Sequence, residues 1–458
     1  GRWAGSAGEN AKFGLALYEI IEAVKQLKAR GMEDCVKLLH FHIGSQITSI
    51  NAIKKVMQEA SRVYTELRKL CPSLEFLDVG GGLGVDYDGS RTNFDSSMNY
   101  TTEQYARDVV WEIASACDEA GLPHPTIISE SGRALVAHHA VLVTEVMDVA
   151  EVPEPPEKLQ VDPSRDEKVI DLVTLYNDLT LKNCHETFSD ALSLRDEFLQ
   201  RFVQGNISLD DRAFAEQTLR NLFTRINGLK SALKYVPEDF EQLEGMLKDT
   251  YFCNFSVFQS LLDHWAIDQL FPIMPIHRLA QQPTRKAIIA DLTCDSDGKI
   301  DKFIDLRGVQ RYIDLHPYKG EQPYYIGVFL IGAYQECLGN LHNLFGDTNA
   351  VHVELDEDGV PKITSIIEGD TIKEVLSYVQ YSGEDLLSGL NSSIDRAVRN
   401  GIMSPEESAK FMQRYKESLG GYTYLLWENS PNSTTTQTVG TPTILPQESS
   451  GRRAANIG

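Results

Sequence analysis

The sequence predicts an α/β chain joined to a second, mainly β region. Over residues 1–133, helical patterns alternate with short apolar strands, which is typical of a parallel sheet covered by helices. Residues 157–249 are almost wholly helical in pattern and heavily charged, whereas strand patterns return between residues 251 and 366. We therefore expect an α/β region and a β region that is interrupted by a helical insertion.

The α/β region contains three predicted helices and three predicted strands. The helices cover residues 13–30, 52–70 and 101–120, and the strands cover residues 36–43, 74–79 and 126–129. Thr101 or Thr102 is suited to cap the third helix, because a threonine hydroxyl can accept a hydrogen bond from a free backbone N–H. Each strand runs into polar or glycine residues. Parallel α/β folds build their sites just beyond the carboxyl ends of strands, so these residues are the first candidates for chemistry.

The rest of the chain is divided by turn and helix signals. Residues 134–149 predict a strand, the proline-rich residues 152–156 interrupt the chain, and residues 371–419 are helical with a Ser404 cap before a first-turn proline. Further strands are predicted over 287–292, 324–331 and 351–355. The predicted domains are the α/β region (1–133), a β domain (134–150 and 250–370), an inserted helical domain (151–249), a C-terminal helical domain (371–426) and a disordered Ser/Thr/Pro-rich tail (427–458).

Composition limits the possible partners. With 43 Lys plus Arg and 66 Asp plus Glu in 458 residues, the formal net charge is −23, which disfavours nucleic acid and anionic membranes and favours a cationic small substrate. The longest nearly apolar run, residues 324–334, is too short to span a bilayer. Seven irregularly spaced cysteines without a CxxC pair favour a reducing compartment over a disulfide framework or a zinc ribbon.

Four glycines follow the second predicted strand, in the sequence Gly80-Gly81-Gly82-Leu83-Gly84. Glycines at this place let backbone N–H groups approach an anion, usually a phosphate. The spacing does not match the dinucleotide fingerprint, and the Lys-Ser/Thr of a P-loop is absent. Phosphate binding and a tight structural turn are therefore the two interpretations.

The other two strand ends carry an acid–base pair and an imidazole. Glu130 and Arg133 flank Gly132, and arginine suits phosphate, whereas glutamate can hold a heteroaromatic ring nitrogen protonated. An internal ion pair is the alternative. His42 and Ser45 follow the first strand; a lone histidine is more often structural, but three such strand ends in order favour a site.

Two further motifs lie in the β region. Cys294 precedes Asp295 and Asp297, and because nearby carboxylates oppose thiolate formation, we interpret Cys294 as a proton donor. The segment also resembles the start of a calcium loop, but Leu306 occupies the position of the terminal Glu, and an ordinary Asp-Gly turn is the alternative. Tyr334 ends a buried strand and, taken alone, would be a core tyrosine.

Together these motifs resemble the fold-III pyridoxal-phosphate decarboxylases of basic amino acids and diaminopimelate, and most closely the arginine-specific branch. The resemblance spans residues 1–426, and it accounts for the helical insertion and the C-terminal helices. The matching strings are His42–Gln46, Asp78–Tyr87, Glu130–Ala134, Ile267–Pro272, Thr293–Gly298 and Gly332–Asp347. The resemblance implies the C-terminal part of an alanine-racemase-like (β/α)8 barrel, followed by a β-barrel or sandwich domain and a helical C-terminal region.

The resemblance also implies a role for each site residue. His42 would stack on the pyridine ring, and Glu130 would keep the pyridine nitrogen protonated. Cys294 would protonate Cα after CO2 leaves, and Asp295, with Asp268 less securely, would bind the substrate's distal cation. The phosphate would be held by Ser45, Gly80, Gly81, Gly82, Gly132, Arg133 and Tyr334.

The implied activity is the decarboxylation of L-arginine to agmatine and CO2, the first step of an agmatine route to polyamines. The resemblance suggests pyridoxal 5'-phosphate and Mg²⁺ as cofactors, although no magnesium ligands can be named. It also suggests a cytoplasmic dimer or tetramer in which Cys294 and Asp295 reach the partner subunit's site.

One departure from the family pattern concerns the Schiff-base lysine, which lies upstream of every motif found here. The chain begins Gly1-Arg2-Trp3 without Met, and its βα rhythm covers only part of a barrel of roughly 250 residues. We therefore expect a fragment or a processed subunit that lacks its N-terminal half and is inactive alone. A non-catalytic homologue that regulates a decarboxylase, and a decarboxylase of another basic amino acid, are the alternative functions.

Overall fold

The structure is a computed structural model that describes residues 12–426, without residues 234–235, 237–239, 306–307 and 321. The predicted disordered tail, residues 427–458, lies outside the described residues, and so do residues 1–11.

The first region alternates helices and short parallel strands, as predicted. Its elements are α1 (Leu17–Ala29), β1 (Leu38–His40), α2 (Ile50–Leu70), β2 (Phe76–Asp78), α3 (Thr102–Ala120) and β3 (Thr126–Ile128). The strands form a parallel sheet in the order β1-β2-β3, with Leu38 opposite Phe76 and Phe76 opposite Thr126. Their carboxyl ends therefore lie at one edge of the sheet, and the three polar segments that follow them are brought together.

Helices α2 and α3 pack together and bury the apolar side of this region. Tyr64 of α2 and Leu77 of β2 are 1% and 0% exposed, and the Tyr64 hydroxyl donates to the carbonyl of Leu74 at 3.0 Å. Thr101 caps α3 as predicted: its side chain accepts from the backbone N–H of Gln104, and the Gln104 side chain accepts from the backbone N–H of Thr101. Helix α3 is thus anchored by its own cap, whereas α2 has no side-chain cap and is held by its buried face.

The predicted strand over residues 134–149 is wrong in its first half. Residues 132–136 form the short helix α4 (Gly132–Val136), a 3₁₀ turn covers Ala137–His139, and strand β4 begins only at Leu142 and ends at Ala150. The apolar run Ala134–Ala137 is ambiguous between helix and strand in sequence. In the structure it continues the βα rhythm, because α4 begins shortly after β3 ends at Ile128.

The β region is built around a sheet of seven described strands. The strands not yet defined are β5 (Asp249–Cys253), β6 (Ile273–Pro275), β7 (Arg285–Ala290), β8 (Lys299–Ile300), β9 (Phe303–Asp305), β10 (Gly308–Gln310), β11 (Ile313–Leu315) and β12 (Tyr325–Val328). The sheet order is β11-β7-β5-β4-β12-β6, β8 pairs with β7, and β9 pairs with β10 in a separate ribbon. Its core contains Tyr251, Tyr324 and Ile326, all 0% exposed.

The helical insertion connects two neighbouring strands of this sheet, β4 and β5. It contains α5 (Glu167–Asn177), α6 (Cys184–Val203), α7 (Leu209–Leu229) and α8 (Glu241–Met246). These helices have their own core, which includes Phe188, Phe223 and Phe240. At the base of the insertion, Asp249 accepts from the backbone N–H of Val152 and forms an ion pair with Arg285.

The remaining elements are two short helices, a hairpin and three C-terminal helices. They are α9 (Val257–Ser260), α10 (Leu262–Ile267), β13 (Ala350–Leu355), β14 (Pro361–Ile367), α11 (Ile372–Tyr378), α12 (Gly383–Arg399) and α13 (Pro405–Leu419). The predicted Ser404 cap is confirmed, because its hydroxyl accepts from the backbone N–H of Glu407 at 3.2 Å. Within the described part of the chain, no helix has both the length and the apolar character needed to cross a membrane.

Candidate functional site

The glycine loop after β2 makes close contact with the loop after β1. Gly80 has φ +65°, and a Cβ there would lie 2.3 Å from the carbonyl oxygen of Phe41. Gly82 has φ +107°, and its Cβ would lie 2.9 Å from the carbonyl oxygen of Gly44. Side chains are therefore excluded at both positions by conformation and by space. This contact accounts for the tight turn and forms a cradle of backbone at the strand ends, in which Gly80 and Gly81 are buried and Gly82 is partly buried.

His42 is fixed to this cradle by a hydrogen bond. Its Nδ1 accepts from the backbone N–H of Gly81 at 3.1 Å, and a Cβ on Gly81 would lie 3.1 Å from its Cε1. On the other side of the loop, Asp78 accepts from the backbone N–H of Gly80 at 2.9 Å and pairs with His40 Nδ1 at 2.9 Å. The carboxyl ends of β1 and β2 are thus joined through side chains, and the exposed imidazole of His42 is held in a defined orientation.

Arg133 lies beside the cradle in the first turn of α4 and is only 4% exposed. Its Nε and Nη2 donate to the Ser45 hydroxyl at 3.3 and 3.1 Å, and its Nη1 donates to the Tyr87 hydroxyl at 2.9 Å. Among the described residues, no carboxylate lies within ion-pair distance of the guanidinium. A buried cation that has only neutral partners is costly unless an anion completes it. The predicted alternative, an internal ion pair with Glu130, is not formed.

Sequence reasoning did not identify Tyr87 as part of this site. The residue is 2% exposed, its ring packs edge-on against Phe271, and burial raises the pKa of its hydroxyl although Arg133 opposes the rise. It lies 46 residues from Arg133 in sequence, so no local spacing connects the two. Its place at the end of the string Asp78–Tyr87 is the only signal that could have indicated it.

Gly132 and Tyr334 complete the group around the guanidinium. The ring of Tyr334 lies 4.8 Å from the Arg133 Cζ, and a Cβ on Gly132 would lie 3.9 Å from the Tyr334 hydroxyl oxygen. Tyr334 is 41% exposed and has φ +66°, so it is not a core tyrosine. The structure therefore brings Ser45, Gly132, Arg133 and Tyr334 to one place beside the glycine loop.

Glu130 lies at the third strand end with an exposed side chain, and its backbone N–H donates to the carbonyl of Gly80 at 3.0 Å. Among the described residues, Glu130, His40 and Asp78 are the one group of three potential metal ligands, with ligand atoms within 4.8 Å of one another. Mg²⁺ prefers an all-oxygen octahedral shell, whereas this group includes an imidazole that already pairs with Asp78. The group does not fit magnesium.

Asp263 of α10 is a second residue that sequence reasoning missed. It is 7% exposed, and its Oδ2 accepts from the Gln335 side chain at 3.0 Å. Burial raises the pKa of the Asp263 carboxyl, while Gln335 and the charge of Arg133 lower it. The residue therefore places a buried carboxyl next to the chain segment that carries Tyr334.

The loop with Cys294 and Asp295 is built on a buried carboxylate. Asp291 accepts from the backbone N–H and hydroxyl of Thr293 at 2.8 and 2.7 Å, and burial raises the pKa of its carboxyl. A Cβ on Gly298 would lie 2.3 Å from the Asp291 Oδ1, so the loop turns back tightly over this group. The predicted Asp-Gly turn is therefore present, and it presents Cys294 outward.

The contacts of Cys294 and Asp295 are separate from those of the cradle. The backbone N–H of Cys294 donates to Asn343 Oδ1 at 3.1 Å, and an Asp295 oxygen lies 3.4 Å from His342 Nε2. Cys294 is exposed, and the Asp295 side chain is 37% exposed. In the described part of the chain, no hydrogen bond or ion pair joins either residue to His42, Glu130 or Arg133.

Asp268 lies in a third environment. It directly follows α10 with φ +55°, and its carboxylate forms an ion pair with Lys302. The two residues line a surface pocket of about 320 Å³ together with His264, Trp265, Asp297, Lys299 and Asp301. A substrate cation that binds Asp268 would have to compete with the Lys302 ammonium.

Three family models match the chain. A pyridoxal-dependent decarboxylase, pyridoxal binding domain matches residues 1–137, an arginine decarboxylase helical bundle domain matches residues 162–244, and an arginine decarboxylase C-terminal helical extension matches residues 372–425. The first match contains the glycine cradle and Arg133, and the other two cover the insertion and the C-terminal helices.

Whole-chain comparisons agree with these models. A biosynthetic arginine decarboxylase of Thermosynechococcus vestitus is 49% identical over 428 residues, which is 93% of this chain and 66% of that protein. The Phocaeicola vulgatus relative of the same name is 47% identical over 93% of this chain and 68% of its own length. The crystal structure of the biosynthetic arginine decarboxylase from Campylobacter jejuni superposes with a TM-score of 0.78 at 33% identity, over 92% of this chain and 68% of that one. The chain thus spans about two thirds of the length of these relatives.

Proposed function

The chain belongs to the family of pyridoxal-dependent biosynthetic arginine decarboxylases, and from that premise we propose that it supplies most of an active site that converts L-arginine to agmatine and CO2. The observation that carries the proposal is Arg133. This guanidinium is buried, its hydrogen bonds among the described residues go only to neutral hydroxyls, and it lies beside a glycine cradle at three parallel strand ends. A phosphate is the anion that such a site suits.

The residues around Arg133 fit the phosphate of pyridoxal 5'-phosphate. The guanidinium and the Ser45 hydroxyl give charge-assisted and neutral hydrogen bonds, and Tyr334 has an exposed phenol beside them. The side-chain-free backbone of Gly80, Gly81, Gly82 and Gly132 allows close approach of the anion. We assign these residues to the cofactor phosphate.

His42 and Glu130 would serve the ring of the cofactor. When bound, pyridoxal phosphate supplies an electron sink for the pair released as the bond from Cα to the carboxylate breaks. The exposed Glu130 carboxylate would hold a proton on the pyridine nitrogen, which keeps that sink effective. The His42 imidazole, fixed through Gly81, would pack on the ring face and keep water away.

Cys294 and Asp295 would act on the substrate. The exposed Cys294 thiol would deliver the proton to Cα after CO2 departs, which is general acid catalysis by a positioned side chain. The Asp295 carboxylate would bind the guanidinium of arginine, and the net charge of −23 would attract this cationic substrate. Asp268 would take part only if its ion pair with Lys302 opens, whereas the buried Asp263 offers a further carboxylate near Arg133.

The proposal includes a homo-oligomer in which Cys294 and Asp295 act in the partner subunit's site. Their outward exposure, and their lack of contact with the cradle within the described residues, support this arrangement. It also includes a reducing, cytoplasmic location and a role at the start of polyamine synthesis. All seven cysteines are free thiols, which supports the reducing location.

A direct test is to incubate the full-length protein with pyridoxal phosphate and arginine and to measure agmatine and CO2. We expect the two products in equal amounts, and much slower turnover of ornithine and lysine, because their ammonium groups pair poorly with a site built for a guanidinium. Comparable turnover of lysine or ornithine would contradict the substrate assignment. Cofactor binding without turnover of any basic amino acid would favour a regulatory homologue instead.

A further inference from the structure

We propose that His342 and Asn343 are positioning residues for Cys294 and Asp295, and that the clamp segment, defined as residues 422–425, holds both of them in place. The inference rests on the proposed function, because it explains how the proposed proton donor, Cys294, and the proposed substrate-binding carboxylate, Asp295, are held in position. It concerns residues that touch neither the cradle nor the cofactor phosphate.

Asn343 holds the backbone of the proton donor. Its side-chain oxygen accepts from the backbone N–H of Cys294 at 3.1 Å, across 49 residues of sequence. Asn343 itself has φ +55°, a left-handed conformation that asparagine tolerates better than most residues. The side chain therefore reaches Cys294 from a backbone conformation that restricts which residues can replace it.

His342 lies against the other functional residue of the loop. Its Nε2 is 3.4 Å from an Asp295 oxygen, and its ring centroid is 4.5 Å from that of Phe258. Among the described residues, this buried Nε2 has no aligned hydrogen-bond partner. The His342 ring therefore lies beside the proposed substrate-binding carboxylate and limits how that side chain can turn, although the two side chains are 34% and 37% exposed.

The clamp segment fixes the chain that carries His342 and Asn343. The Thr423 hydroxyl accepts from the backbone N–H of Gly346 at 3.1 Å, and the Tyr424 hydroxyl donates to the carbonyl of Gly346 at 2.8 Å. The rings of Phe345 and Tyr424 lie 5.1 Å apart, and the Tyr422 hydroxyl accepts from the backbone N–H of Asn349.

The hydrogen bond between Tyr424 and Gly346 is buried, whereas the one between Tyr422 and Asn349 is exposed. Tyr424 is 5% exposed, and burial raises the pKa of its hydroxyl, so it remains a neutral donor. A Cβ on Gly346 would lie 2.4 Å from the Cβ of Asp370, so no larger residue fits this contact. A continuous series of contacts therefore runs from the end of the C-terminal helical region to the Cys294 loop.

The consequence for catalysis is preorganisation of an exposed loop. A general acid must lie within hydrogen-bond reach of the atom that it protonates, and a displacement of about 1 Å can cost on the order of 100-fold in rate. Cys294 is exposed, and in the described part of the chain its backbone N–H donates to Asn343, so its position depends on Asn343. We therefore assign to the clamp segment, at the end of the C-terminal helical region, the role of keeping Cys294 in position for proton transfer.

The experiment compares Asn343→Gly with Asn343→Asp in the full-length protein. Glycine accepts the left-handed conformation but removes the acceptor, whereas aspartate keeps both. For Asn343→Gly we expect hydrogen–deuterium exchange at the Cys294 amide, measured without cofactor, to rise roughly 5-fold or more. We expect kcat for arginine to fall about 10-fold. The KM for arginine should change little, and Asn343→Asp should restore exchange and kcat towards the parent values.

A second readout is the fate of the proton. If Cys294 is misplaced, more turnovers should deliver the proton to the cofactor carbon instead of Cα, and hydrolysis then yields one pyridoxamine phosphate and one 4-guanidinobutanal. We expect Asn343→Gly to raise this fraction, and Tyr424→Phe, which removes only one hydroxyl, to raise it less. Tyr381→Phe is the matched control, because Tyr381 lies in the same helical region, is 58% exposed and should behave as the parent.

The outcomes separate this inference from the proposed function. If Cys294→Ala raises the pyridoxamine phosphate fraction but Asn343→Gly leaves both the fraction and the exchange of the Cys294 amide unchanged, the positioning role is wrong. An Asn343→Asp variant that is as impaired as Asn343→Gly would contradict the role of the acceptor. If Cys294→Ala itself leaves the fraction unchanged, the proton-donor assignment fails, and this inference fails with it.

Discussion

The phosphate cradle and the Cys294 loop are built in opposite ways. Arg133 is 4% exposed and is held by three hydrogen bonds to hydroxyls of its own chain, whereas Cys294 is exposed and is held by one backbone hydrogen bond to Asn343. The cradle is formed at the ends of adjacent parallel strands, but the loop extends from a different sheet. The residues proposed for phosphate binding and for proton transfer thus lie at the ends of strands in two different sheets, which agrees with the proposal that a site is completed by a second subunit.

The largest effect should come from the exposed loop. Cys294→Ala removes the proposed general acid, and such groups contribute roughly 10² to 10⁴ in rate. We expect kcat for agmatine formation to fall by about that factor, while pyridoxal phosphate binding is unchanged. Cys337→Ala is the control, since Cys337 is also exposed and should show parental kcat. Equal losses in the two variants would mean that Cys294 has no special role.

Substitution in the cradle should weaken the binding of pyridoxal phosphate. Arg133→Ala removes a charged donor to the cofactor phosphate, and hydrogen bonds to charged groups contribute about 1.5–3 kcal/mol, or roughly 10- to 150-fold in Kd for pyridoxal phosphate. Equilibrium dialysis measures this directly. Arg62→Ala, at a side chain that is 73% exposed, should leave the Kd unchanged. Tight cofactor binding by Arg133→Ala would show that the phosphate is bound elsewhere.

Substitution of Asp295, the proposed substrate-binding carboxylate, should separate the two regions more sharply, because it should affect turnover of arginine and not cofactor affinity. Asp295→Asn should lower kcat/KM for arginine on the order of 10-fold, because a charged partner of the guanidinium is replaced by a neutral one. Cofactor affinity should stay constant. Asp118→Asn, at an exposed carboxylate that pairs with His124, is the control. A parallel loss of cofactor affinity in Asp295→Asn would contradict the separation of the two regions.

The smallest expected effect concerns Asp263, which lies near both the cradle and Gln335. Burial raises the pKa of its carboxyl, so the folded state holds the proton more strongly than the unfolded state does. Its contribution to stability is therefore lost as the pH rises from the ordinary aspartate range through the raised value. Asp263→Asn should gain stability relative to the parent across that window, measured as urea midpoints at several pH values. A difference that does not vary with pH would exclude this titration.

The parts of the fold that depend on local pattern could be predicted. Helices α2 and α3 begin within two residues of the predicted positions, and the caps at Thr101 and Ser404 form as expected. Local pattern failed at residues 134–137, because four small or branched apolar residues suit a buried helix and a strand equally. Their conformation is decided by the preceding strand and turn, which propensity does not include.

The candidate site shows the same limit. The glycines, Arg133 and Cys294 were identified because each lies in a local motif at an element's end. Tyr87, Asp263 and Asn343 were missed because their partners are 46 to 72 residues away in sequence, and only tertiary packing brings them into contact. The ion pair between Asp268 and Lys302 was missed for the same reason.

The proposal that two subunits complete one site is tested most directly by agmatine formation in a mixture of two inactive variants, Arg133→Ala and Cys294→Ala. The pyridoxal phosphate concentration is chosen so that Arg133→Ala alone is inactive. In hybrid oligomers, the intact cradle of one chain would meet the intact Cys294 loop of the other. We predict that mixing restores up to about one working site per hybrid dimer. If hybrids demonstrably form and no agmatine appears, the cradle and the loop do not complete one site across subunits.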